Sequence, residues 1–157
     1  MKGSAALDAA RELQLLSGGR LEVVFHGTSM DPLLFEGDLV LVEDVTVDDI
    51  AIGDIVTYRY LDRYPTRRVV GIEPDRLTLW CDAWPHLRFR ASPEDVLGRA
   101  VGRVRNDHRL DASDPEWISR RERALRSNRR ARPQLAERRA VGWARDRFVP
   151  GPQRDRP

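Results

Sequence analysis

The chain has 157 residues, 41% of them apolar, 33% charged and only 7% aromatic, with one cysteine and a formal net charge of +2. That length supports one ordinary core and excludes two substantial domains, the lone Cys81 excludes an intramolecular disulfide, and no apolar run approaches the roughly 18 residues of a spanning helix. Charge is uneven: residues 1–110 carry 14 basic and 18 acidic side chains, whereas residues 111–157 carry 13 and 7, and every basic residue except Lys2 is arginine.

Residues 4–17 place Leu7, Ala10, Leu13 and Leu16 at helical spacing ahead of Gly18-Gly19, so residues 1–19 are expected to form a short amphipathic helix and its cap. With Asp8 and Glu12 among them and no continuous apolar stretch, they do not read as a secretory signal, and a cytoplasmic protein is expected. From Arg20 the period changes to two, with Leu21, Val23 and Phe25 alternating with more polar neighbours. Further strands are predicted over residues 38–43, 54–60, 67–72, 77–81 and 99–105, separated by Gly, Pro and Asp, which suits a mostly antiparallel β-domain over 20–110. Ser92-Pro93-Glu94-Asp95 reads as one helical turn. After Arg105 the strand signal stops. Ser113 and Glu116 have capping-box spacing, predicting an Arg-rich helical extension over 111–148, interrupted at Pro133, and a disordered tail over 149–157.

The informative segment is GTSMDPLLFEGDLVLV, residues 27–42. Gly27 permits a sharp turn, Ser29 stands at its tip beside backbone N–H groups, Met30 offers an apolar side chain and Pro32 restrains the exit. A serine nucleophile needs that presentation, because the attacked carbonyl oxygen must find donors already in place. A serine in a glycine-containing turn is equally compatible with a purely structural role.

The ordered motifs GTSMDP and GDLVLV, then IGDIVTYR at 52–59, RRVVGI at 67–72, LTLWCDAW at 77–84 and VLGRAVGRV at 96–104, together resemble the signal peptidase and LexA-like serine peptidase superfamily over roughly residues 20–105. The resemblance implies an irregular, mainly β fold and peptide cleavage by a serine with a Lys or His base, supported in the His branch by an Asp. It makes Ser29 the nucleophile, Gly27 and Thr28 the oxyanion turn, and Met30 and Pro32 the lining of a groove for an extended peptide. Arg67 falls in the base slot, directly before Arg-Val-Val, and Asp82 matches the supporting Asp. It implies no cofactor and no metal.

Arg67 is the departure that matters. A general base must surrender its proton near neutral pH, and a guanidinium with a pKa above about 12 does not. Two functions follow: a signal-peptidase-like serine endopeptidase of altered activity, or an inactive pseudo-peptidase serving as a peptide-binding or regulatory module. An Arg67–Asp82 ion pair is expected, and His26 and His86 are the remaining candidate bases. Asp38 and Asp54 read as turn residues and Cys81 as a small, half-buried side chain. The tail reads first as a docked, salt-bridged helix pair. A second reading is peripheral attachment to anionic lipid through residues 117–148, where Trp117, Trp143 and Phe148 stand among arginines. No nucleic-acid-reading motif accompanies the arginines, so nucleic acid is not an expected partner.

Overall fold

The structure, a computed structural model, describes residues 19–127. The expected N-terminal helix over 4–17, the tail's continuation from 128 and the expected disorder over 149–157 lie outside the described residues. Eight strands follow in chain order: β1 (Leu21–Val24), β2 (Leu39–Glu43), β3 (Ile55–Tyr58), β4 (Thr66–Glu73), β5 (Arg76–Trp80), β6 (Arg88–Ala91), β7 (Val96–Arg105) and β8 (His108–Asp111). Each named pair is antiparallel, in the order β1-β2-β7-β3-β4-β5-β6, with β8 on β7. The mainly β expectation holds.

Two strands are additions to the sequence reading. β8 exists because Asn106 and Asp107, at φ 48° and 62°, make a two-residue turn of the left-handed kind that folds β8 back on β7, pairing Arg105 with His108. β6 pairs with β5, Leu79 opposite Phe89 and Trp80 opposite Arg88. The short turn at 92–95 is present as a 3-10 helix, Pro93–Asp95, although Ser92 makes no capping bond through its side chain.

The apolar residues separate into two clusters. Leu21, Phe25, Met30, Leu33, Val40 and Ile55 belong to the first, which also takes Trp117. Val56, Tyr58, Val69, Leu77, Leu79 and Ala91 belong to the second. Helix α1 is described over 115–127. Its cap is displaced from the expected Ser113: Pro115 takes the first helical position, and Asp114 turns its carboxylate back to accept from the Asp111 N–H at 2.6 Å. The helix docks rather than standing free, because Trp117 is buried and Arg121 Nη2 donates to the Ile52 carbonyl at 2.9 Å. Gly53 permits that approach: at φ 98° an added Cβ would lie 2.4 Å from Arg121 Nε. Trp117, which the second reading of the tail placed against lipid, is part of the core, as the docked reading expects, and is unavailable to a membrane. No helix among the described residues is long and apolar enough to cross one.

Candidate functional site

Ser29 sits in the loop that joins β1 to β2. The base of the loop is closed by two backbone bonds, Phe25 N–H to Asp38 O and Gly37 N–H to Phe25 O, both 2.8 Å. Gly27 and Gly37 turn at φ 91° and 84°, conformations that favour glycine. Between them Met30, Leu33 and Leu34 are driven fully into the first core, and the Leu33 and Leu34 N–H groups return to the Met30 carbonyl at 3.0 and 3.1 Å. Burial of those side chains fixes the backbone around Ser29.

Two arginines of β7 hold the far side of the loop. Arg105 grips Asp38 through two bonds of 2.7 Å and lies over the Phe35 ring, and Arg103 Nε donates to the Leu33 carbonyl at 2.9 Å. Asp38 is therefore a buried anchor as well as a turn residue, since it also accepts from the Phe35 N–H at 2.8 Å. On the outer side, His26 Nδ1 bonds Glu36 Oε1 at 2.9 Å, while Glu36 Oε2 accepts from the Gly27 N–H. That amide, first, and His26, second, hold the Glu36 carboxyl below its ordinary range.

Ser29 and Arg67 come together as their positions in the motif imply. Arg67 Nη1 donates to Ser29 Oγ at 2.9 Å and to the Thr66 carbonyl at 2.9 Å, and its guanidinium carbon lies 5.1 Å from the centre of the Phe89 ring. Ser29 is 0% exposed and Arg67 4%. The hydroxyl thus receives a hydrogen bond from the group in the base slot, the reverse of what deprotonation requires.

Asp82 departs from expectation. Its carboxylate pairs with Arg68, not Arg67: Arg68 Nε donates to Oδ1 at 2.8 Å and Nη2 to Oδ2 at 2.5 Å, while Arg68 Nη1 donates to the Gly53 carbonyl at 2.8 Å. Consecutive residues of a strand point to opposite faces, so Arg67 and Arg68 cannot share one acid. The segment still belongs to the neighbourhood, because Ala83 N–H donates to the Ser29 carbonyl at 3.1 Å. Cys81, ahead of it, is fully buried rather than half-buried.

Other expected site residues also move. Met30 fills the core and cannot line a groove, whereas Pro32 and Thr28 are exposed. The Gly27 N–H is engaged by Glu36 and so is not an open oxyanion donor. His26 is tied to Glu36, and His86 and His108 are exposed, the latter on β8. No lysine falls among the described residues. The sequence reading missed Arg68, Arg103, Arg105 and Glu36. A signal existed for the arginines of β7, which recur at strand spacing, but nothing in the sequence names their acceptors. Among the described residues no group of three His, Cys, Asp or Glu side chains could hold a metal ion.

Comparison with known proteins adds no relative: no family model matches the chain, and no curated protein matches it significantly.

Proposed function

We propose that this chain is a signal-peptidase-like domain that does not cleave peptides at Ser29 and acts as a peptide-binding or regulatory module, working in the cytoplasm. The observation that carries the reading is the 2.9 Å bond from Arg67 Nη1 to Ser29 Oγ within a buried site. A positioned general base supplies about 10²- to 10⁴-fold in rate, and a permanently protonated guanidinium supplies none of it. The engaged Gly27 amide removes one of the donors that an oxyanion would use.

The binding half of the proposal draws on the sheet. Among the described residues β1 is one of the two ends of the strand order, its outer edge leads directly into Gly27 and Ser29, and Val24 on it is 46% exposed. An extended peptide adds to such an edge through main-chain hydrogen bonds.

The test is turnover of a peptide library by wild type, Arg67→Lys, Arg67→His and Ser29→Ala. No Ser29-dependent turnover by wild type is expected, with cleavage created or raised by Arg67→Lys, whose ammonium can lose a proton when buried. Arg67→His gains nothing from Asp82, because both carboxylate oxygens are held by Arg68. Robust wild-type cleavage abolished by Ser29→Ala would overturn the proposal and restore the endopeptidase reading, with His26 and His86 the next candidate bases.

A further inference from the structure

A cleft of about 310 Å³ opens where the sheet brings the end of β3 against the start of β5 and the end of β6. Tyr58 and Ala91, both buried in the second core, form an apolar floor, and Tyr60, 38% exposed, forms an aromatic wall. Its charges are not all matched from within. Arg59 is 3.6 Å from Asp95, and Arg76 pairs with Glu73 beside the cleft. That leaves Arg90 and Asp75 in the lining, neither making an ion pair or side-chain hydrogen bond among the described residues. Arg76 Nε is also buried without an acceptor.

Strand register places the two cations together. Arg90 pairs with Thr78, and Arg76 lies two residues before Thr78 on the same face of β5, so the two are diagonal neighbours, about 7–8 Å apart at their Cα atoms and within reach of long side chains. Charged side chains at a strand end commonly serve only to keep the edge soluble. That role does not account for the buried Arg76 N–H lacking an acceptor, beside which the exposed Arg90 and Asp75 stand open to a ligand.

We infer that this cleft binds a small zwitterion, an α-amino acid or a dipeptide, with its carboxylate on Arg90 and Arg76, its ammonium on Asp75 and its side chain against the exposed ring of Tyr60. A simple anion would face Asp75 and a simple cation would face Arg90. The volume is at the low end of ligand sites, which begin near about 300 Å³, and so favours one or two residues over a larger cofactor. The site uses no atom of the Ser29 loop and does not rest on the reading given above.

The experiment is an amide NMR titration of the full chain with leucine, Ala-Leu, N-acetyl-Ala-Leu and Ala-Leu-amide. The uncapped compounds should shift the Tyr60 and Ser92 resonances, and capping either end should weaken binding at least about tenfold, the scale of one lost charge-assisted contact. Leucine against Ala-Leu distinguishes the free amino acid from the dipeptide. Arg90→Ala should erase the preference for Ala-Leu over its amide, and Asp75→Asn the preference over its N-acetyl form, while Ser29→Ala leaves both intact. The inference is overturned if neither uncapped compound shifts these amides up to about 10 mM, if capped and uncapped forms bind alike, or if both cleft variants bind as wild type does.

Discussion

The two faces of β4 treat neighbouring arginines in opposite ways. Arg68 enters a site built for its charge, with a carboxylate meeting two of its nitrogens and a carbonyl a third. Arg67, one residue earlier, is equally withdrawn from solvent but is met by a serine hydroxyl, a backbone carbonyl and the face of a phenyl ring. The first arrangement stabilises a framework, and the second sets a guanidinium against the Ser29 hydroxyl as a donor. The residue type alone therefore decides nothing. The strand face does.

Breaking the framework side should cost most. Removing one partner of a buried pair leaves the other charge uncompensated, so Arg68→Ala or Asp82→Ala should each lower unfolding free energy by about 3–5 kcal/mol in urea titrations. The double replacement Arg68→Met with Asp82→Leu should recover much of that loss, since a well-packed apolar pair often matches a buried ion pair. A double variant no more stable than either single one would show that the Gly53 carbonyl contact, not the ion pair, dominates.

The Ser29 side should respond less. Arg67→Met keeps an unbranched apolar side chain in place and removes both the donor to Ser29 and the guanidinium over Phe89, for an expected loss of about 1–2 kcal/mol. Ser29→Ala, read in the same titration, should cost about 0.5–1.5 kcal/mol, and the two losses should fall short of additive, because both remove the Arg67–Ser29 bond while only Arg67→Met also removes the bond to the Thr66 carbonyl. Strict additivity would mean that Arg67 is held chiefly by something other than Ser29.

The smallest effect belongs to the exposed rim of the loop. Glu36 has a lowered pKa when folded, so its contribution is present above the unfolded carboxyl value of about 4.3 and is lost as pH falls through the folded value. Thermal unfolding of wild type and Glu36→Gln should differ slightly near pH 6 and coincide near pH 2. A gap that persists in acid would assign the effect to packing instead of ionisation.

The strands visible in the sequence were those with apolar residues at alternate positions, as at Val40 and Val42 or Leu77 and Leu79. β6 escaped because Arg88 and Arg90 flank a single aromatic, and because its pairing with β5 follows a loop containing Pro85. β8 escaped because its polar residues carry no pattern, and the chain reversal at Asn106-Asp107 creates its partner. At the candidate site the motif located Ser29 and Arg67 correctly relative to each other. It misassigned Asp82, because acid–base pairing across strands depends on register: Arg68 stands opposite Trp80, two residues before Asp82, and the register shifts between Val69 and Gly71. Spacing along one chain does not reveal that. Met30 was misplaced for a related reason, since a turn exposes some of its side chains and buries others by the core beneath it.

Cys81 turns the last of these contacts into a clock. Its thiol is sealed from solvent, and two residues on, the chain is tied to the Ser29 carbonyl through the Ala83 N–H. A thiol reagent can reach the sulfur only in the fraction of time that the segment lifts away. The labelling rate of the native protein thus measures how often the neighbourhood of Ser29 opens, with no engineered cysteine and no competing one anywhere in the chain.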